Sequence, residues 1–463
     1  MTDSPNFQLN GRSVSLADAD PTETLLRFLK RQRLTGTKEG CADGDCGACT
    51  VAMIELDASD RAHYRAVNSC LLPMGALPGR EILTVEALSE APPLGTAAVL
   101  HPVQQAMVDC AGSQCGYCTP GFVMSLFAGF YSGEFDDGVF EGNLCRCTGY
   151  KPIREAAQLL GTAEPAFDHF QNALTVPRET PDRAVLGQFF SPTTVTSALT
   201  LKAQHPDAVW IAGATDLGVN LSHGQTVASA FIALDRIAEL TAVSVRDVSV
   251  RIGASASLST LEREVAGVFP ALDQMLGWFA ARQVRNRATI GGNLGTASPI
   301  GDLSPVLLAL DAQVSCCGRR GARTIPIDEF FLDYRSTALA ADEMINAVTL
   351  PRRDNLISAS YKVAKRQTDD ISIVAAVFAL VLDEDKRVSW IRLAYGGVAA
   401  TPLRAKPVEE FLVGRTLDEG TVARACEMLQ GQFNPLSDHR ASADYRRKLC
   451  GNLFAKFVIE HCQ

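Results

Sequence analysis

The strongest constraint on this chain is a set of closely spaced cysteines. Cys41-Ala-Asp-Gly-Asp-Cys46-Gly-Ala-Cys49 is followed by Cys70, and two further pairs lie at Cys115/Cys118 and Cys145/Cys147. Nine of the fourteen cysteines fall before residue 150. The first fourteen residues are polar and show no apolar core of a secretory leader, which reads as a cytoplasmic chain. In a reducing compartment, so many thiols point to metal or redox chemistry rather than to a disulfide framework.

The first group, C-x4-C-x2-C with a further cysteine downstream, has the spacing of plant-type [2Fe–2S] ferredoxins. Four thiolates must converge on a cluster of high local negative charge, and backbone N–H groups must face its sulfurs. Gly40, Gly44 and Gly47 let the loop wrap closely. Structural zinc more often takes paired knuckles, so it is the weaker reading of this loop. In the second group, Gln114-Cys115-Gly-Tyr-Cys118 precedes one expected helix and Asn143-Leu-Cys145-Arg-Cys147 another. Helix N-termini offer unpaired N–H donors and a partial positive charge, which favour an anionic cluster between them. Taken alone, this pattern also suits zinc. The chain has no Cys-x-His pair, which speaks against a Rieske centre. Cys110 is close enough to be a rival ligand, but its position late in an apolar helix reads as a buried thiol. Cys316, Cys317, Cys426, Cys450 and Cys462 show no cluster spacing and read as core or surface thiols.

The 463 residues suggest about three domains. Residues 1–80 read as a small α+β unit. It has a hairpin around Asn10-Gly11, a helix starting at Asp20-Pro21-Thr22-Glu23 and a strand over 51–56, and 67–72 carries another cysteine. Residues 81–160 read as mostly helical, with helices over 84–89, 102–110, 120–131 and 152–160. Residues 161–186, with scattered prolines, read as a linker. From 187 onward short β-rich runs (209–212, 228–233, 249–252, 344–350, 358–365, 373–382 and 388–396) alternate with helices, with a seam near Pro351. Residues 1–160 hold 12 Lys/Arg against 19 Asp/Glu, so most of the net charge of −9 sits there. Such a surface repels phosphate backbones, and no nucleic-acid partner is expected. The uncharged stretch 110–133 is strongly apolar only over 122–131, short of the roughly 20 residues a bilayer needs, so it reads as a core helix.

No G-x-G-x-x-G and no Walker A sequence is present. Two separate glycine turns take their place: Ile211-Ala212-Gly213-Ala214-Thr215-Asp216-Leu217-Gly218 and Thr289-Ile290-Gly291-Gly292-Asn293-Leu294. Each can present bare N–H groups to a pyrophosphate, and each alone reads equally well as a tight turn. Asp302 can accept a hydrogen bond from a ribose or ribityl hydroxyl. Lys362 lies in an expected strand, followed by the charged run from Lys365 to Asp370. A charged run of this kind reads as a solvated surface loop, and that is the preferred reading here; a strand lysine such as Lys362 beside a flavin could instead stabilise its reduced, anionic form.

Taken together, the segments EGCADGDCGACT, NSCLLP, QCGYCTPG, GNLCRCTGY, AGATDLG, TIGGNLGTASPIGD and KRQTDDIS resemble, in order and over nearly the whole chain, the iron–sulfur/FAD portion of the xanthine dehydrogenase family of molybdenum hydroxylases. The resemblance is most specific to the small subunit of bacterial two-subunit members. It implies an α+β multidomain chain. A β-grasp, ferredoxin-like domain would span 1–80, a helical-bundle [2Fe–2S] domain 81–160 and a linker 161–186. An FAD domain similar in fold to vanillyl-alcohol oxidase would span 187–352, with an α+β C-terminal lobe over 353–463. It implies one [2Fe–2S] cluster on Cys41, Cys46, Cys49 and Cys70, and another on Cys115, Cys118, Cys145 and Cys147. FAD would be held by Ala212, Gly213, Ala214, Thr215, Asp216, Leu217, Gly218 and Val219, by Thr289, Ile290, Gly291, Gly292 and Asn293, and by Phe279, Asp302, Ile345 and Lys362. Asp369 and Asp370 would border an NAD site. Nothing in the chain resembles a molybdopterin-binding region, so that cofactor is expected on a large partner chain, in an assembly of two small and two large subunits without membrane attachment. Substrate choice, purine or otherwise, would lie in that partner. A free-standing flavin/iron–sulfur NADH reductase and a zinc-stabilised scaffold are the readings from other classes.

Overall fold

A computed structural model describes residues 5–57, 59–89, 99–162, 168–178, 183–225, 228–366 and 368–462. They form two compact units. One comprises residues up to 238 together with 280–288, and the other 239–279 and 289 onward.

In the first unit a five-stranded sheet runs in the order Arg12–Ser15, Asn6–Leu9, Glu81–Leu83, Thr50–Leu56, Ala62–Asn68. Asn6–Leu9 and Glu81–Leu83 are parallel and the other pairings antiparallel. The hairpin expected around Asn10-Gly11 is present. Thr50–Leu56 is buried on both faces, which places two cores back to back. Val51 and Met53 face Phe7, Phe28 and Leu29, whereas Ala52 and Ile54 face the helices Pro102–Asp109, Thr119–Ser132 and Lys151–Gly161. Alternation of side chains along the strand produces this two-sided packing.

The first helix departs from expectation. It spans Leu25–Arg31 and is capped by Thr24, four residues beyond the predicted Asp20 cap. Leu25 N–H donates to Leu72 and Met74 N–H to Glu23, so residues 23–25 are held extended against 72–74 and the helix starts only afterwards. Its apolar face, Leu25, Leu26, Phe28 and Leu29, is buried. Expected helix 84–89 is a single 3-10 turn, Val85–Ala87. The expected linker contains a helix, His169–Thr175, capped by the Asp168 carboxylate; residues 163–167 and 179–182 of it lie outside the described set. A four-stranded sheet, Arg183–Leu186, Phe189–Pro192, Phe231–Ala233, Val209–Ile211, completes this unit, and its Phe189 and Phe231 join the core of Phe7 and Phe28.

The second unit holds a five-stranded antiparallel sheet in the order Val243–Val245, Ser249–Gly253, Met344–Pro351, Gln313–Gly318, Gly321–Pro326. A second antiparallel sheet, Ile357–Val363, Val374–Leu382, Val388–Gly396, Leu403–Arg404, packs under the helices Lys406–Leu412, Glu419–Gln432 and Ala443–His461. The seam near Pro351 separates the two sheets. Cys316, Cys317 and Cys450 are buried in this unit and Cys426 and Cys462 half-buried, as core or surface thiols should be. Among the described residues no helix is long and apolar enough to cross a membrane.

Candidate metal and cofactor sites

The first cysteine loop lies between the helix Leu25–Arg31 and the strand Thr50–Leu56, and Cys70 follows the neighbouring strand Ala62–Asn68. The fold brings all four thiols together. Cys49 and Cys70 are buried with their sulfurs 3.3 Å apart. Main-chain N–H groups point at sulfur: Cys41 N–H donates to Cys46 Sγ at 3.3 Å, and Asp43 and Cys46 N–H donate to Cys41 Sγ at 3.3 and 3.4 Å. The Cys46 thiol and these N–H donors hold the Cys41 thiol down at about 5 against the opposing effect of burial. Cys49 is also lowered, first by its bond with Cys70, while Cys70 is pushed up by the same contact and by burial. Cys46 is pushed up, first by its contact with Cys41 and then by burial, so the lowered and raised thiols alternate within two pairs, and the N–H donors favour charge on the Cys41 sulfur. Ser69 Oγ and Thr50 Oγ1 donate to the loop carbonyls of Cys49 and Gly47 at 2.7 and 2.6 Å, fixing the wrap. Gly47 has φ +64, and a Cβ there would overlap the carbonyl oxygen of Gly142.

In the second group Cys118 directly precedes the helix Thr119–Ser132, and Cys145 and Cys147 precede Lys151–Gly161. Cys115 and Cys147 lie close enough to shift each other's ionisation, as do Cys118 and Cys145. Cys115 and Cys147 are exposed. The Tyr117 N–H and the Cys147 thiol lower Cys115, whereas burial pushes Cys118 up to about 12. Burial works to raise Cys145, but the Thr148 hydroxyl and N–H outweigh it and lower the thiol. Cys110, the rival ligand, is half-buried at the C-terminal cap of Pro102–Asp109. Among the described residues no three His, Cys, Asp or Glu side chains close on a single-ion site; the arrangement is two sets of paired thiols.

The glycine turns divide between the units. Ala212, Gly213, Ala214, Thr215 and Asp216 leave the strand Val209–Ile211, and Leu217, Gly218 and Val219 open the short helix Leu217–Ser222. A Cβ on Gly213 would overlap the carbonyl of Arg287, and one on Gly218 the carbonyl of Leu71, so these glycines serve backbone packing. Val219 packs against the buried cluster of Leu26, Cys49, Cys70 and Leu71, which sets this turn beside the first thiol set. In the second unit Thr289 caps the helix Ile290–Thr296, accepting from Gly292 N–H at 3.0 Å. Gly291 N–H is spent on Ala254. Asn293 Oδ1 is buried without a hydrogen-bond partner, as are Asn346 Oδ1 and Ser255 Oγ, which belong to the strand and loop that flank Ala254. Such orphaned acceptors and hydroxyls suit a bound polar ligand. Asn346 and Ser255 carry no sequence motif; only their unmet hydrogen bonds reveal them.

Ile345 is buried on the strand Met344–Pro351 beside Asn346, and Phe279 ends the helix Pro270–Trp278. Asp302 and Lys362, expected as separate cofactor contacts, are bonded to each other. Lys362 Nζ lies 2.8 Å from Asp302 Oδ2 and donates to the Trp278 carbonyl at 2.9 Å. Ser372 Oγ donates to Asp302 Oδ1 at 2.5 Å. The Lys362 side chain is 1% exposed, so the solvated-loop reading does not apply to it. Asp369 has φ +50 and accepts from the Arg366 guanidinium on its main-chain carbonyl. Asp370 accepts from the N–H groups of Arg366 and Ile371, which outweigh its burial and keep it ionised below the usual carboxylate range.

Four family models match along the chain. Residues 7–75 match a 2Fe-2S iron–sulfur cluster binding domain, and 84–158 a [2Fe-2S] binding domain. Residues 185–353 match the FAD binding domain in molybdopterin dehydrogenase, and 359–461 the CO dehydrogenase flavoprotein C-terminal domain. The xanthine dehydrogenase of Emericella nidulans is 33% identical over 98% of this chain and 38% of its own length. The chain belongs to the xanthine dehydrogenase family. Within that family it corresponds to the iron–sulfur and FAD portion, an α+β multidomain chain with two [2Fe–2S] domains and an FAD-binding domain. The xanthine dehydrogenase/oxidase of Gallus gallus is 30% identical over 98% of the chain and 40% of its own length, so the chain spans about two fifths of the curated relatives it matches. Among solved structures, a carbon monoxide dehydrogenase chain from Hydrogenophaga pseudoflava (28% identity, TM-score 0.55) matches over 58% of this chain and 94% of that one. A chain of quinoline 2-oxidoreductase from Pseudomonas putida 86 (26%, 0.56) matches over 60% and 97%. The family's cofactors fit the residues present: each cluster domain assembles four thiols with N–H donors, and the FAD-binding region holds unmet polar atoms beside the Gly291-Gly292 turn.

Proposed function

We propose that this chain is the electron-transfer subunit of a cytoplasmic two-subunit xanthine dehydrogenase, assembled as two small and two large chains. The large chain would carry the molybdopterin cofactor and the hydroxylation site that converts hypoxanthine to xanthine and xanthine to urate. The bound groups would supply one-electron carriers at the two [2Fe–2S] sites and two-electron exchange between FAD and NAD+. The observation that carries this reading is the convergence of two four-thiol sets, Cys41/Cys46/Cys49/Cys70 and Cys115/Cys118/Cys145/Cys147, each supplied with N–H donors to sulfur.

In this reading, the N–H groups of Cys41, Asp43 and Cys46 hold thiolate charge at the first site, and those of Tyr117 and Thr148 do so at the second. Residues 212–219, Thr289, Ile290, Gly291, Gly292, Asn293, Phe279 and Ile345 bind and orient FAD. Lys362, held by Asp302 and the Trp278 carbonyl, keeps a cation at a fixed point for an anionic flavin; Asp369 and Asp370 border the NAD site. The domain boundaries 1–80, 81–160, 187–352 and 353–463 belong to the same proposal.

The test is iron, flavin and molybdenum content of the chain purified from its native host, with co-purifying chains identified and NAD+ reduction by xanthine measured. About four Fe and one FAD per chain, with a molybdenum-bearing partner, are expected. Zinc without flavin would remove the proposal. Iron and flavin with no partner would leave a free-standing NADH reductase. The likeness to carbon monoxide dehydrogenase and quinoline 2-oxidoreductase favours a second reading, the same subunit of another molybdenum hydroxylase. A molybdenum-bearing partner that leaves xanthine untouched would select it.

A further inference from the structure

The two cysteine loops do not merely share a unit; they are tied to each other by a buried amide. Leu144 N–H donates to the Cys46 carbonyl at 3.0 Å, so one main-chain hydrogen bond joins a first-set cysteine to the residue before Cys145. Beside it, the Asn143 side chain is 1% exposed and makes four hydrogen bonds. Its Nδ2 donates to the Gly47 carbonyl at 3.0 Å and to Thr50 Oγ1 at 3.3 Å. Its Oδ1 accepts from Ser125 Oγ at 2.6 Å and from Gln283 Nε2 at 2.9 Å. Two donors and two lone pairs are the full capacity of a side-chain amide. An amide so used has one orientation, and reversing it would set donor against donor. Gln283, on the short helix Arg282–Arg285, also reaches Ser125 Oγ at 3.0 Å, closing a ring of three buried polar side chains. Across the same seam Tyr117 Oη, between Cys115 and Cys118, donates to the Glu39 carbonyl next to the first loop.

We infer that Asn143, locked by Gln283 and Ser125, is a positioning residue that sets the separation and relative orientation of the two cysteine sets, and with them the electronic coupling between the two cluster sites. It touches no thiol. It acts through Gly47, which lies between Cys46 and Cys49, and through its own chain neighbour Leu144. The packing leaves no alternative seat, since a Cβ on Gly47 or on Gly121 would overlap the opposing main chain. The inference rests on the proposal that both cysteine sets hold [2Fe–2S] clusters.

The test compares Asn143→Ala and Gln283→Ala with the parent, each as the full chain with whatever partner accompanies it. Iron content, the magnetic interaction between the two paramagnetic centres under reducing conditions, and hydrogen exchange at Leu144 N–H are measured. The expected result is parental iron content, a loss of dipolar splitting that is larger for Asn143→Ala, and faster exchange at Leu144. Asn143→Asp keeps the acceptor but loses the donor to Gly47, and should behave as Asn143→Ala rather than as the parent. Gln283→Ala leaves Asn143 and both loops in place, so it remains informative if Asn143→Ala does not fold. Unchanged splitting and unchanged exchange in iron-loaded variants would overturn the inference. A parent chain that carries zinc and no iron would instead remove the proposal beneath it, which the iron measurement distinguishes.

Discussion

The two cysteine sets use the same kind of donor in differently sheltered surroundings. The first is the more sheltered: Cys49 and Cys70 are 2% and 1% exposed, Cys41 and Cys46 are half-buried, and the loop is pinned by Ser69, Thr50 and Asn143. The second leaves Cys115 and Cys147 open to solvent at the ends of two helices. Ligand number therefore does not fix the character of such a site; N–H donors, burial and access do. A carrier whose potential must be steady gains from the first setting, and one that must face another molecule gains from the second.

The sharpest way to break this comparison is to remove one thiol from each side. Cys49→Ser should abolish the first centre and Cys115→Ser the second, each leaving about two of four Fe, as read by metal analysis and by loss of one of two spectroscopic signatures. If either change removes all iron, the sets are not separate sites. Next in size is Gly47→Ala. It combines φ +64 with overlap on Gly142, and should destabilise the fold by about 3 kcal/mol or more in denaturant unfolding. Gly116, between Cys115 and Cys118, also has a left-handed φ (+81), yet its nearest neighbour to a new Cβ is Ser113 Oγ at 4.0 Å. Gly116→Ala should therefore cost only about 1 kcal/mol, the conformational part alone.

Between these two in size falls a pH effect confined to the helical side. His101 caps Pro102–Asp109 by accepting Val103 N–H on Nδ1, and its Nε2 lies 2.9 Å from Tyr131 Oη, which in turn donates to Asp168 Oδ2. Burial lowers the imidazole to about 4 from its ordinary 6.5. The unfolded chain takes up a proton that the folded one refuses, so the contribution is complete above pH 6.5 and is lost as the pH falls from there toward 4. Thermal melts at pH 7 and pH 5 should differ, by up to about 3 kcal/mol over the whole window. In His101→Gln this acid dependence should shrink. If it persists, the relay is not its source.

The cysteine positions are legible in the sequence because ligand spacing is local and chemically narrow. The antiparallel hairpin at Asn10-Gly11 and the helix after Cys118 are legible for the same reason. What joins them is not. Asn143 meets Gly47 and Gln283 across separations of 96 and 140 residues, and Asp302 meets Lys362 across 60. No pattern within a window of sequence encodes such pairs. The helix His169–Thr175 could have been found from the Asp168 cap, but the surrounding prolines mask it. The late start of Leu25–Arg31 follows from residues 72–74, far outside any capping motif. The turn at 212–219 carries glycines that read as ligand contacts, whereas Gly213 and Gly218 are accounted for by neighbouring backbone.

The strand Thr50–Leu56, with one side chain after another committed alternately to two cores, bears on modularity. A fragment ending near residue 80 would contain every residue of the first cysteine set, yet Ala52, Ile54, Tyr64 and Ala66 would lose the helices that cover them. The ferredoxin-like piece is thus not a cassette to be cut out and transplanted. Its inheritance, its engineering and its folding are bound to the helical segment that follows.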